Sequence, residues 1–393
     1  MEYYKSKKDS YCQKEGILKI AVVSHAADTH SGSRAPIELA KAFAKKGHEV
    51  FFFAYKEISK TEAIKELKYA KIDVRLIKIP ENKLLGKLLP SFALAKDLKR
   101  IKPNIISTQA KLPFILGAKL SGIPVAYTYM GTQLDIWLDR IFPSQPNYLD
   151  NIINIFLNWL IKLNTIIQLS TTSYIITFSK YCKNELDLLY HKKSSYVFWG
   201  SRTDLMAKTQ ANKTKSNSTI HLLSVSRIVP YKGFHTQIET VNELTPKFPI
   251  KLTIIGSYPD KKYLNYLKKI KNQNTQIIVN PSDQILSKYY QSTDIYITCD
   301  KFLFFGMPIF EAASFGKPTV AFDFASAKEV VKNHKTGIIV STKEEFKKAI
   351  IKLANSKRER QKLGYNAQKF SKNYTWGSAA NFYLKQFKKW QKH

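Results

Sequence analysis

The stretch Phe305–Val330, FGMPIFEAASFGKPTVAFDFASAKEV, decides how the rest of the chain is read. Pro308 stands where the first turn of a helix tolerates a residue without an N–H, so the reading is a helix from about Met307 to Ser314. Gly316 ends it. Lys317-Pro318 then opens Thr319-Val320-Ala321-Phe322, a run apolar enough for a central parallel strand covered on both faces. A helix beginning at the carboxyl edge of such a sheet presents unpaired N–H groups and a partial positive charge, which suit a phosphate or a sugar hydroxyl. Glu311, one turn in, is expected beside that pocket.

Outward from this stretch the same strand, loop and helix unit recurs. Upstream, strands are expected at 219–225, 251–256, 276–280 and 294–299, and downstream at 337–340, with helices between them. Nearer the amino terminus a second series places strands at 18–24, 49–55, 73–79, 104–109, 124–129, 173–179 and 195–200. Such alternation implies doubly wound parallel sheets of the α/β class, whose ligands bind outside the carboxyl ends of the strands. Between the series, AKTQANKTKSNS at 207–218 loses all apolar character and reads as a linker. The expected organisation is a domain over 17–206, the linker, and a domain over 219–374, the two sheets facing each other across a cleft. Trp376, Ala380, Tyr383, Phe387 and Trp390 form one apolar seam on a terminal helix, 375–393, expected to pack back on the first domain.

Length supports this division, since 393 residues exceed what one core usually organises. The net charge of +33, from 63 basic against 30 acidic side chains, favours anionic partners: a membrane surface, phosphorylated substrates or nucleic acid. A lysine-rich composition bias explains the same charge without a partner. Cys12, Cys182 and Cys299 have no metal-type spacing, which points to a reducing, cytoplasmic setting without zinc or disulfides. The leader MEYYKSKKDSYCQKEG has no apolar core, and no run is read as approaching the roughly 20 apolar residues of a spanning helix. In the helix at about 149–169, Asn151, Asn154, Asn158, Lys162 and Thr165 make a narrow polar stripe, so that helix is expected to be mostly buried or to rest on an apolar surface. Residues 82–102 mix leucines with lysines and read either as an interfacial helix or as a packed helix with a basic outer face, interrupted by Pro90.

Arg227 and Lys232 bracket the loop after the first strand of the second domain, and Gly233 starts the next helix. Two cations and free N–H groups at a strand's carboxyl end make a diphosphate cradle, although R-x4-K-G alone also fits an ordinary surface loop. The order of segments is more specific. RIVPYKGF, LTIIGSYPD, IIVNPSDQILSKYYQSTDIYIT and FGMPIFEAASFGKPTVA resemble, piece by piece, the donor half of retaining family-4 glycosyltransferases of the GT-B fold. In the amino-terminal half ELAKAFAKKGHEV, GIPVAYTYMG, ITFSKYCKNEL and WGSRTDLM fall where that family has their counterparts. The resemblance implies two Rossmann-like domains and transfer, with retention, from a nucleotide-diphosphate sugar to a glycan or lipid-linked acceptor, without metal or cofactor. It also implies site residues. Arg227 and Lys232 would bind the diphosphate, Glu311 the ribose hydroxyls, and the backbone at Gly306 and Met307 phosphate or sugar. Gly32 would let the first loop approach the donor, and Asn280, Pro281 and Ser282 would wrap the base.

Two positions depart from the family's pattern. Leu303 stands where a first glutamate, eight positions before the second, is usual, and Met130 where a histidine is common. Leu303, Phe304 and Phe305 suggest a donor sugar less polar on that side. The departures also motivate a second reading, a catalytically impaired protein that binds nucleotide sugar or partners another transferase. His48 reads as a structural turn residue, and His25, Asp28, His30, Asp135 and Asp139 as solvated loop residues before any acid–base role. No helix-turn-helix or aromatic RNA-binding string is present, so no nucleic-acid partner is expected.

Overall fold

The computed structural model describes residues 16–28, 33–78, 89–202, 204–207, 219–257 and 259–391. The first series of elements runs β1 (Lys19–Val23), α1 (Arg34–Lys45), β2 (Glu49–Tyr55), α2 (Thr61–Tyr69), β3 (Asp73–Ile77), α3 (Leu89–Ile101), β4 (Ile105–Thr108), α4 (Leu112–Leu120) and β5 (Val125–Tyr129). It continues through α5 (Ile136–Ile141), α6 (Tyr148–Ser170), β6 (Tyr174–Thr177), α7 (Lys180–Tyr190), β7 (Ser195–Tyr196) and α8 (Asp204–Ala207). The second runs β8 (Ile220–Arg227), α9 (Phe234–Leu244), β9 (Ile250–Ser257), α10 (Lys261–Ile270), β10 (Thr275–Val279), α11 (Asp283–Ser292), β11 (Ile295–Thr298), α12 (Met307–Ser314) and β12 (Thr319–Phe322). It ends with α13 (Ala327–Val330), β13 (Gly337–Val340), α14 (Lys343–Asn355), α15 (Lys357–Ser371) and α16 (Trp376–Trp390).

Among the described residues the strands form two parallel sheets, ordered β3-β2-β1-β4-β5-β6-β7 and β10-β9-β8-β11-β12-β13. Both are GT-B-type doubly wound α/β sheets. Strands such as Ile20–Val23 are buried on both faces because helices cover both, which is why they read as continuous apolar runs rather than alternations. Strand order reverses between β1 and β4 in the first sheet and between β8 and β11 in the second. A crevice opens at the carboxyl ends of each such pair.

Helix α16 packs on α1, on the face opposite to α3 and α4. Tyr383 meets Phe43 edge-on and hydrogen-bonds Thr128 Oγ1 at 2.9 Å, and Trp390 stacks on Tyr174 with ring centroids 4.0 Å apart. One apolar cluster extends from the first sheet into the second, with Phe305 packed against Phe178 and Trp199. Ion pairing adds to it: Arg202 donates to both carboxylate oxygens of Asp283 at 2.9 and 2.7 Å, and Glu329 accepts from the N–H groups of Lys180 and Tyr181 that begin α7. The chain leaves the first sheet close to where it returns. Ser201 N donates to Tyr374 O at 3.3 Å, and a Cβ on Gly200 would collide with the backbone nitrogen of Trp376.

Several elements differ from the sequence reading. Helix α3 is described from Leu89 onward, and residues 79–88, on which the expected interruption at Pro90 also depends, lie outside the described set. A short helix, α5, occupies the expected loop before Pro146, and β7 keeps only two residues. Helix α8 packs on α11, with Ser287 Oγ donating to Leu205 O at 2.6 Å. Most consequential is α6. Its 23 residues include a window of mean hydropathy 1.4, so by length and composition alone a run suited to a membrane does exist. The helix is also mostly exposed, and of its polar stripe Asn154, Asn158 and Thr165 turn inward while Asn151 and Lys162 stay exposed.

Candidate active site

The loops at the second switch point carry the two cations. Arg227 is the last residue of β8, and a 3-10 turn over Pro230–Lys232 follows. Gly233 closes that turn at φ 66°, where a Cβ would lie 2.6 Å from the Cβ of Cys299, so only glycine fits both the backbone and the neighbouring loop. Tyr231 separates the cations: the Arg227 guanidinium donates to its hydroxyl, and the Lys232 ammonium lies 5.1 Å from its ring centre.

Lys232 Nζ donates to the Asp300 carboxylate, from the loop after β11, and both side chains are largely buried. Asp300 is held in turn by the N–H of Phe302 at 3.0 Å, and the N–H of Lys301 donates to Tyr231 O at 2.9 Å. Burial pulls the Lys232 pKa down while Asp300 pushes it up. Asp300 accepts from one of the three ammonium hydrogens and Tyr231 from one of five guanidinium hydrogens, so donors remain on both cations for an anion. Sequence reasoning missed Asp300. An acid immediately beyond a strand at the sheet's switch point was the signal that could have found it.

Gly306, at φ 76° and without a side-chain cap, precedes helix α12; Pro308 has no N–H and that of Ile309 donates to Gly306 O at 2.9 Å, which leaves Met307 to present the N–H at the start of the turn. A Cβ on Gly306 would lie 2.8 Å from Leu303 Cδ1, which is buried at 3% exposure in the core between the sheets. Phe304 and Phe305 pack there too, against Gly131 and Tyr181, and against Phe178 and Trp199. These three apolar residues therefore join the domains and do not line an open sugar pocket. Glu311 is buried, and Oε2 accepts from Tyr290 OH at 2.7 Å. Asn280 follows β10 at φ 51°, and Ser282 caps α11, placing Asn280 and Pro281 on the rim of the second sheet.

Across the cleft the first domain contributes the segment after β5. Met130 is exposed, and Thr132 N is held by Glu185 Oε1 at 2.7 Å. Asp135, in the left-handed region at φ 61°, accepts from Asn154 and Asn158 of α6 at 2.9 Å each, and lies 3.9 Å from Lys301 of the second domain. Those three partners hold its carboxyl below the usual carboxylate range. Asp139 has a buried Oδ2 without a hydrogen-bond partner; burial pushes its pKa up to about 6 against the pull of Lys301. Phe142 spans to His235, ring centres 4.5 Å apart, so α5 lies over the turn that carries Lys232.

Of the other residues singled out, Gly32 and His30 lie outside the described residues. His48 is structural, its Nδ1 accepting from Leu18 N at 3.1 Å. His25 rests edge-on against Tyr55, its pKa lowered by burial and by Lys111. Asp28 is buried and engaged rather than solvated. Among the described residues no group of three His, Cys, Asp or Glu side chains converges as metal ligands would.

Residues 206–370 match the family described as glycosyl transferases group 1, and residues 33–197 the one described as glycosyltransferase family 4. The capsular polysaccharide biosynthesis glycosyltransferase CapM of Staphylococcus aureus is 26% identical over 317 residues, covering 74% of this chain and 82% of that one. A probable sucrose-phosphate synthase of Thermosipho melanesiensis is 25% identical over 389 residues, covering 90% and 89%. Among solved structures, Anabaena HepE in complex with UDP and glucose superposes with a TM-score of 0.74 at 14% identity over 94% of this chain and 98% of that one. A glycosyltransferase from Rickettsia africae does so at 0.73 and 19%, over 95% and 99%. At these identities the structural likeness speaks to the fold.

Proposed function

We propose, from the premise that this chain belongs to the glycosyl transferases group 1, that it moves a sugar from a nucleoside diphosphate to a hydroxyl of a glycan or lipid-linked acceptor, with retention of configuration. One observation carries the reading. Arg227, Lys232 and the uncapped start of α12 at Gly306 and Met307 all lie on loops at the carboxyl ends of β8, β11 and their neighbours, facing the first domain. When the bond from the sugar to the diphosphate breaks, negative charge grows on the leaving oxygen. Two preorganised cations and backbone N–H groups would stabilise that charge without a metal or cofactor. Glu311 would accept from the ribose, with Tyr290 fixing its carboxylate, while Asn280 and Pro281 edge the base. The setting in this reading is the cytoplasmic side of an anionic membrane, where a lipid-linked acceptor would present its headgroup.

Leu303 supports a second reading, a nucleotide-sugar binder without transfer, because the position of the family's first glutamate is filled by core packing. A transfer screen over nucleotide sugars, read by mass spectrometry and by thermal stabilisation, separates the two. Arg227→Ala with Lys232→Ala should weaken donor binding by about 100-fold or more, two charge-assisted contacts being lost. Unchanged donor affinity in that pair would remove the diphosphate assignment. Stabilisation by a donor without product on any acceptor would favour the second reading.

A further inference from the structure

Helix α6 has its polarity reversed. Asn154, Thr165 and Gln168 are buried, whereas Ile155 is 69% and Trp159 and Phe156 are each 56% exposed; Ile152, Leu163 and Ile166 are exposed with them. The inward groups bond through Asn154 Nδ2 and Asn158 Nδ2 to Asp135 Oδ1, and through Gln168 Oε1 to Tyr127 OH at 2.8 Å, while Asn154 Oδ1 is buried without a partner. An apolar face of this extent is large for a protein surface and marks an interaction site.

We propose that the outer face of α6 is a docking surface for an anionic lipid bilayer, in which the helix lies flat along the interface. A spanning orientation would strip Asn154, Asn158 and Gln168 of their partners in a medium that offers none, whereas lying flat keeps them on the protein. Charge selects the occupant. Beyond Asp150 the helix carries Lys162 and no acid. The adjoining layer of α3 and α4 adds exposed Lys96, Lys99, Arg100 and Lys119 beside exposed Phe92 and Leu120. Apolar side chains interleaved with cations fit a surface of acyl chains under negative headgroups, and the overall charge of +33 has the same sign. A second copy would bring the same cations together. Docking also reaches the cleft. The amino-terminal half of α6 fixes Asp135 at the cleft mouth, so a bilayer against α6 lies beside the acceptor side; this functional consequence rests on the transferase reading, but the docking itself does not.

The test uses the full chain and vesicles of phosphatidylcholine with phosphatidylglycerol, and needs no sugar transfer. Wild type should float with these vesicles and bind weakly to phosphatidylcholine alone. Raising salt from about 0.1 M to about 0.5 M should weaken binding without abolishing it, because only the ionic part is screened. Ile155→Gln with Phe156→Gln and Trp159→Gln should reduce partitioning at least about tenfold. Since these side chains are exposed, the variant should keep its thermal transition. As a milder check, brominated lipid should quench wild-type tryptophan fluorescence, and Trp159→Phe should remove most of that quenching. Equal flotation of the triple variant, or quenching that survives Trp159→Phe, would overturn the proposal. So would a wild-type dimer that the triple variant dissociates, with no vesicle binding by either.

Discussion

Asp139 keeps one carboxyl oxygen buried and unpartnered, and its pKa is pushed up to about 6 by burial, from an ordinary 3.8. The folded protein therefore holds this proton more tightly than the unfolded chain. Its contribution to stability is fully present below about pH 4 and is lost as pH rises through about 6. Asp139→Asn should accordingly melt higher than the parent at about pH 7.5 and show no advantage at about pH 4. A pH-independent difference would show that the strain lies elsewhere. The placement of Arg227, Lys232 and Glu311 was legible because each sits at a recognisable place on a strand end or a helix turn. Asp300 was not, because a pairing over 68 positions is set by β8 and β11 lying side by side, which no local string records. Leu303 was legible as a missing carboxylate, but its packing between the domains was not.

At the scale of elements, the βα alternation was legible because parallel strands covered on both faces leave long apolar runs between helical patterns. Helix α6 shows what periodicity leaves out. A stripe of polar positions gives the width of each face and not which one turns inward; of the two expectations for this helix, burial is the one its exposed apolar side chains overturn. Helix α16 follows the ordinary rule, with Phe387 fully buried 5.9 Å from the ring of Phe43. Phe387→Ala should cost about 3–5 kcal/mol, lowering the midpoint of thermal unfolding by roughly 10 °C. If α16 only decorates the surface, calorimetry will find no such shift.

At the scale of the molecule, division into two sheets was legible from the two series of βα units, whereas their mutual seating was not; the expected linker, 207–218, lies outside the described residues from 208 onward. That seating depends on Phe305, Arg202 and Glu329 meeting partners from the other sheet, contacts that arise only once both sheets have formed. The chain's two passages between sheets touch at Gly200 and Trp376. Two adjacent tethers act like the paired pins of a door: they restrain sliding and twisting more than swing about the line between them, and the shared core of Leu303, Phe304 and Phe305 is what resists that swing. The Glu329 carboxylate, seated on the start of α7, is a further tie between the two sheets. Gly200→Ala should wedge the pins apart, and small-angle scattering should record a smaller donor-induced compaction than in the parent, whereas Glu329→Gln should loosen the resting state. Equal compaction in all three proteins would mean that the jaws do not swing on this line. Should the two domains move against each other, two crossings set side by side would leave rotation about the line joining them as the least restrained path.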